Sequence, residues 1–461
     1  MLKCCVLNSN GMLKRKLEIF LSEWKKEKGH KPLVIKGVRQ CGKTFIAEEF
    51  ARKNYAHVVY VNFVQTPKAA MAFDNSLEVD DIIMQLSTVV RDAEFVPGQT
   101  CIIFDEIQES PQARTALKFF HLDGRFDVIA TGSLLGVKGY GKKSAGGGVE
   151  RPRSIPVGYE EIVTMYPLDF EEFLWANGIS EAVIKKLKKC FADETPIPDL
   201  IHQQMKELLL QYCIVGGMPE AVNAFIDTHN LSRVRRILLR IIDEYEDDMV
   251  KYAPDSDKPH IRQCFESIPK QMAKENKKFQ YSLVQKGGRA SKYEGSLQWI
   301  EDAGIIRRCY NLDITGLPLE GNAKSESFKV YTADIGIFVS MLEDDTQFDI
   351  LNGNLSAYKG AIYENLMADI LGKMGKKLYY FHKDSGLEVD FVLKYKRKCT
   401  IVEVKAKGGK TKSAKTILNH PEKYGVEQCL KFGDCNIGRS EETSKVLTLP
   451  FYIAFLLYAE P

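Results

Sequence analysis

Eight residues, Gly37-Val-Arg-Gln-Cys-Gly-Lys-Thr44, have the types and spacing of a phosphate loop, G-x-x-x-x-G-K-[ST]. The glycines let main-chain N–H groups turn toward an anion, and a following helix adds its positive N-terminal dipole. Lys43 brings a point charge to the outer phosphates, and the Thr44 hydroxyl suits a magnesium ion. The run Gly37, Val38, Arg39, Gln40, Cys41, Gly42, Lys43, Thr44 and Phe45 is therefore a candidate site for a nucleoside triphosphate. About 60 residues on, the apolar stretch Cys101-Ile-Ile-Phe104 ends in Asp105 and Glu106. Asp105 is placed to hold magnesium through water, and Glu106 to polarise the water that attacks a γ-phosphate. A further strand, Val128-Ile-Ala130, delivers Thr131, Gly132 and Ser133 to the same sheet edge. Two uses compete there: a hydroxyl such as Ser133 contacting the γ-phosphate, or a plain cap after the strand.

A second constellation lies near the C-terminus. Glu388-Val-Asp390 opens an apolar strand, and twelve residues separate Asp390 from Glu403 in Ile401-Val-Glu-Val-Lys405. Residues two apart on a strand share a face, so Glu403 and Lys405 point together, and a hairpin brings Asp390 alongside. These carboxylates, with Glu364 of the preceding helix as a third, can hold a divalent metal while Lys405 helps to orient a water against a phosphodiester. From Lys394 to Lys415 there are nine Lys/Arg and one glutamate, a balance suited to a polyanion. The competing reading is an exposed hairpin of alternating charge.

The elements that must position these residues follow from periodicity. Apolar Leu13, Leu17, Phe20, Leu21 and Trp24 mark one helical face. Short β-branched runs at 33–35, 57–63, 101–104 and 128–130 alternate with helical stretches, which predicts a parallel sheet covered on both faces. The glycine- and arginine-rich stretch from Gly136 to Gly158 has no period, and 168–250 is mainly helical. Between 258 and 312 the order is helix, helix, turn, helix, strand, the plan of a winged helix. Residues 258–310 carry eleven Lys/Arg against five acidic residues. Arg289 and Lys292 on a helix could enter a major groove, with Arg307 and Arg308 on the wing reaching phosphates. A solvated, protein-packing face is the alternative. The last segment reads helix to Met374, strands at 378–382, 388–393 and 400–405, and a hairpin turn at 395–398.

The chain has 461 residues, which suggests about three domains at roughly 150 residues each. A net charge of +3 excludes a bulk polycation, so any basic surface is local. No run is long enough to cross a bilayer, so no membrane partner is expected. Eleven scattered cysteines, without a Cys-x-x-Cys pair, argue against a zinc ribbon and favour a reducing, cytoplasmic location.

Taken together, the phosphate loop with Arg39-Gln40, the run Asp105-Glu-Ile-Gln108, and Ala130-Thr-Gly-Ser133 resemble the AAA-type ATPases of bacteria and archaea. More specifically, they resemble the group joined to a C-terminal domain of unknown function. Pro167-Leu-Asp-Phe-Glu-Glu-Phe173 and Gly216-Gly-Met-Pro219 are similar to that group as well. The second is like the motif by which related NTPases touch nucleotide, which makes Pro219 a candidate nucleotide contact. The C-terminal residues Asp390, Glu403 and Lys405 resemble the PD-(D/E)xK nuclease core, with Val389 where the motif has proline. No arginine finger is identified; Arg151 and Arg153 are candidates. The resemblance implies an α/β fold: a P-loop NTPase parallel sheet (12–167) with a helical lid (168–250), a winged-helix segment (251–330) and a restriction-endonuclease-like α/β domain (331–461). It implies ATP and Mg2+ as ligands; the order of the motifs and the local basic charge point to a nucleotide switch acting on nucleic acid such as DNA. The alternatives are an ATP-gated, magnesium-dependent nuclease and a signalling or scaffold ATPase binding a protein partner or a second copy of itself.

Overall fold

A computed structural model of the chain describes residues 13–133, 158–252, 257–274, 277–353, 358–405, 412–440 and 443–458. Arg151, Arg153 and most of the glycine-rich stretch lie outside the described residues. The chain divides into two compact units, Lys14–Tyr166 and Pro167–Pro461.

The first unit runs α1 (Leu17–Lys26), β1 (Leu33–Lys36), α2 (Lys43–Asn54), β2 (His57–Asn62), α3 (Val79–Val89), β3 (Thr100–Asp105), α4 (Pro111–Asp123), β4 (Asp127–Gly132) and β5 (Glu161–Thr164). The strands form one parallel sheet in the order β2-β3-β4-β1-β5. β3 is buried along its whole length, as a strand covered on both faces must be. Phe104 of β3 meets Phe73, Phe120 and Phe63 at ring-centroid distances of 5.5, 5.8 and 5.9 Å. α4 starts where the Ser110 hydroxyl accepts from the Ala113 N–H with Pro111 at its first turn, and stops at Gly124 in the left-handed region. Helix α4 and strand β5 are absent from the sequence expectation; β5 is short and only partly buried, so its apolar pattern is weak.

The second unit begins with five helices, α5 (Phe170–Ala176), α6 (Glu181–Ala192), α7 (Asp199–Val215), α8 (Pro219–Thr228) and α9 (Leu231–Tyr252). The motif from Pro167 to Phe173 is a helix start: Asp169 and Glu172 exchange side-chain and backbone hydrogen bonds in a capping box. Then come α10 (Lys258–Glu266), α11 (Ile268–Met272), α12 (Tyr281–Val284), α13 (Ala290–Asp302), β6 (Ile306–Leu312), β7 (Ala323–Thr332), α14 (Ile335–Ser340), α15 (Thr346–Asn352) and α16 (Lys359–Lys373). The remainder is β8 (Leu378–His382), β9 (Glu388–Val389), β10 (Phe391–Tyr395), β11 (Lys398–Lys405), α17 (Lys412–Leu418), α18 (Pro421–Tyr424), β12 (Gln428–Gly433), β13 (Gly438–Ser440) and β14 (Thr443–Pro450).

Two sheets organise this unit, β7-β6-β8-β9 and β10-β11-β12-β14-β13. The first takes strands from both sides of residue 330, because β6 pairs antiparallel with β7 and parallel with β8. The hairpin expected as a free wing is thus part of a larger sheet, with β6 inside it and β7 at its edge. Arg308 is not free to reach a phosphate as expected, and Arg307 is half-buried. Arg308 is 5% exposed and paired with Glu294 and Glu301. Arg307 lies so close over α16 that a Cβ on Gly372 would come within 2.2 Å of its Nε. A strand in mid-sheet presents its side chains to packed neighbours, and buried guanidinium groups then require carboxylate partners.

α16 is buried on nearly every side. Such a helix has no solvent face for its polar residues, so each must be satisfied inside. Asn365 bridges Thr332, accepting its N–H at 2.9 Å and donating to its hydroxyl at 3.0 Å. Lys373 bonds Asp369 at 2.9 Å, Asp334 at 3.1 Å, the Tyr212 hydroxyl at 2.8 Å and the Leu168 carbonyl at 3.1 Å.

Candidate nucleotide site and C-terminal acidic core

The phosphate loop joins β1 to α2. Gly42 takes φ +97° and Gln40 φ +62°. Gly37 is required for another reason: a Cβ there would lie 2.1 Å from the Met165 carbonyl oxygen. Arg15 braces the loop from outside, donating to the Cys41 carbonyl at 3.0 Å and the Tyr166 carbonyl at 2.6 Å. The first helical hydrogen bond runs from the Ile46 N–H to the Gly42 carbonyl. The N–H groups of Lys43, Thr44 and Phe45 precede it, at the positive end of α2. Phe45 is 54% exposed, so its contribution to the site is its main chain. Lys43 Nζ donates to the carbonyls of Gly37 (3.0 Å) and Val38 (2.9 Å), which curls it inside the loop.

Asp105, at the end of β3, collects five donors. Its Oδ1 accepts from Thr44 (3.0 Å), from Thr131, and from the Glu106 N–H (3.1 Å). Its Oδ2 accepts from Tyr60 (2.6 Å) and Asn62 (2.8 Å) of β2. Burial, and then the bond to Asp105, push the Tyr60 hydroxyl well above its ordinary value, so Tyr60 stays a donor. Contact between Thr44 and Asp105 brings a hydroxyl and a carboxylate to one point, the donor set that fits magnesium beside a triphosphate. Glu106 has φ +54°, in the left-handed region, and Gln108 donates to its carboxylate. Of the two hydroxyls after β4, Thr131 is engaged with Asp105. The Ser133 oxygen is buried with no hydrogen-bond partner among the described residues.

Arg15, Tyr60 and Asn62 escaped the sequence reading. Tyr60 and Asn62 do share one face of a strand at period two, a usable signal once β2 is known to neighbour β3. Arg15 carries no local signal, because its partners come from two distant turns. Replacing Tyr60 by phenylalanine removes one hydrogen bond to an ionised group. The variant is expected to melt below the parent, as read by thermal unfolding.

Pro219 belongs to the second unit, at the first turn of α8. Close packing explains the two glycines before it. A Cβ on Gly216 would meet Asp334 Oδ1 at 2.2 Å, and one on Gly217 would meet the Leu168 carbonyl at 2.0 Å. The Gly217 N–H donates to Asp334 Oδ2 at 2.8 Å.

In the C-terminal core, pairing of Phe391 with Val402 carries Asp390 to the level of Glu403. Lys405 lies 2.7 Å from Glu403 and 3.9 Å from Asp390, and the Val404 N–H donates to Asp390 at 2.7 Å. Burial, then repulsion from Glu364 and Glu403, push the Asp390 carboxyl up to about 7. Two lysines absent from the sequence reading enter here. Lys277 pairs with Glu364, and Lys329 sits 3.7 Å from Glu364 and 2.9 Å from Glu388. The metal expected at Glu364, Asp390 and Glu403 finds no ready cage: among the described residues no three His, Cys, Asp or Glu side chains are grouped to hold one ion.

Residues 29–174 match the family model of an AAA domain. Residues 359–452 match a domain of unknown function (DUF4143), and residues 206–347 match another (DUF8612). No curated protein matches the chain. Among solved structures, the Walker-type ATPase paby2304 of Pyrococcus abyssi is similar over 72% of this chain and 96% of its own, at 12% identity and a TM-score of 0.41. AMPPCP-bound DnaA from Aquifex aeolicus is similar over 61% of this chain and 86% of its own, at 12% identity and a TM-score of 0.26. No described helix is long and apolar enough to cross a membrane.

Proposed function

We propose that the chain binds and hydrolyses ATP at the loop 37–45 and works as a nucleotide switch on nucleic acid. The observation that carries the first half is the meeting of Thr44 with Asp105 directly beside Lys43 and Glu106. Lys43 exchanges its two loop carbonyls for the outer phosphates, and the free N–H groups at the start of α2 receive the phosphate oxygens. When bound, magnesium neutralises charge that develops on the transferred phosphoryl group. Tyr60, Asn62 and Thr131 fix the carboxylate of Asp105, Glu106 takes the proton of the attacking water, and Ser133 offers its free hydroxyl to the γ-phosphate.

The nucleic-acid half rests on local charge. At the tip of the β10–β11 hairpin Lys394, Lys396 and Arg397 are exposed, and none has a carboxylate partner among the described residues. Lys286 and Arg289 are exposed in the turn that leads into α13. A protein-binding scaffold is the second reading, favoured by the burial and ion pairing of Arg308 and the close packing of Arg307 on α16, which remove positive charge from the expected wing.

Mg·ATP titrated into the chain by calorimetry is expected to give a one-to-one binding heat; no heat sinks the ATP reading. ATPase rates with single- and double-stranded DNA at two salt concentrations separate the other two. Stimulation that fades with salt supports the nucleic-acid reading, and indifference to DNA supports the scaffold.

A further inference from the structure

The nuclease core that residues 388–405 resemble gathers carboxylates around a divalent metal. In this chain the same carboxylates are already neutralised from within. Glu364 is 7% exposed; Lys277 pairs with one of its oxygens, while the other accepts from the Tyr331 hydroxyl at 3.2 Å and faces Lys329 at 3.7 Å. Lys329 also holds Glu388 at 2.9 Å. Lys405 serves Glu403 of its own strand and Asp390 across the hairpin.

Three ammonium groups thus face four carboxylates, which leaves one negative charge when all are ionised. A divalent cation would overshoot it and place two positive charges beside Lys329. That lysine cannot withdraw. It is 1% exposed, and its backbone is fixed in β7 opposite Cys309 of β6. Burial opposes its charge, but Glu364 and Glu388 outweigh burial and keep it an ammonium. A like charge in so dry a place repels a metal strongly.

We infer that Lys277, Lys329 and Lys405 do in this core what a divalent metal does in the nucleases it resembles, so that the core is assembled without metal and cleaves no phosphodiester. The lysines also explain how distant elements are joined. Lys277 precedes α12 and Lys329 lies on β7, while their carboxylates come from α16 and β9. The ion pairs therefore tie the helical segment before β6 to α16, and β7 to both α16 and β9.

The test is Mn2+ titration of the full, nucleotide-free chain, followed by electron paramagnetic resonance. The parent and an Asp390→Asn variant are expected to bind equally little up to millimolar Mn2+. A site present in the parent and lost in Asp390→Asn overturns the inference. The converse arm removes a lysine. Lys329→Met leaves two uncompensated negative charges, which one divalent ion cancels, so this variant is expected to melt lower than the parent and to regain part of the loss in Mn2+. A folded Lys329→Met that Mn2+ does not stabilise, or a parent stabilised as much, overturns it as well. If Lys329→Met fails to fold, the comparison of parent with Asp390→Asn decides alone. Neither arm involves ATP, so failure here leaves the nucleotide reading intact.

Discussion

Glu106→Gln is expected to bind Mg·ATP within about threefold of the parent and to release phosphate about 10²- to 10⁴-fold more slowly. The exchange keeps the size and shape of the side chain and the main-chain path, including its φ of +54°, and removes only the capacity to take a proton. Lys43→Ala is expected to fail earlier, at binding, with affinity lowered about 10- to 100-fold, the effect of deleting a charge-assisted contact to phosphate. It also strips the Gly37 and Val38 carbonyls of their donor, so the loop itself loosens. Calorimetry and turnover, run in parallel on both variants, check this. A Glu106→Gln protein that hydrolyses at the parental rate would assign the base elsewhere, and a Lys43→Ala protein with parental affinity would remove the loop from the site.

The largest expected effect on stability comes from Lys373→Met. Lys373 is 1% exposed on its side chain and is the ammonium between Asp334 and Asp369. Asp334 caps α14 through the N–H groups of Gly336 and Ile337 and accepts from Gly217. Removing one partner of a buried ion pair typically costs about 3–5 kcal/mol, because the remaining charge is left without compensation. Methionine fills the volume, so the loss reports charge and not a cavity. The pH dependence gives a second check. Burial already pushes the Asp369 carboxyl up to about 7 with Lys373 in place. A folded-state value above the unfolded one, about 3.9, makes the ionised form a destabilising term that is relieved as pH falls. Without Lys373 the folded value rises further, so the melting deficit of Lys373→Met is expected to shrink between about pH 8 and pH 5. A deficit that is constant over that window would mean that the carboxylates are compensated by another group.

The two ends of the chain were legible to different degrees. For the nucleotide site, chemistry is carried by contiguous residues: loop, strand end and helix start are local, so Gly37–Phe45 and Asp105–Glu106 could be found by spacing alone. What the loop leans on was not legible, since Arg15 and Met165 approach it from far along the chain. In the C-terminal core, strand alternation was enough to bring Glu403 and Lys405 to one face and the hairpin to bring Asp390 beside them. It was not enough to find Lys277 and Lys329, whose own segments carry no sign of a carboxylate partner some 60 to 90 residues away. The arginines at 307 and 308 illustrate the same limit from the other side. A basic pair on a hairpin reads as surface, and only the pairing of β6 with β8 places it inside a sheet, with Arg308 buried and Arg307 packed against α16.

Local order in the chain, then, determined the phosphate loop, its acidic partner and the alternation of strand with helix, because each depends on dihedral preferences and periodicity within a few residues. Tertiary structure alone decided which charges neutralise one another. That outcome depends on which strands become neighbours and how much water is excluded between them, and neither quantity is a property of any single segment.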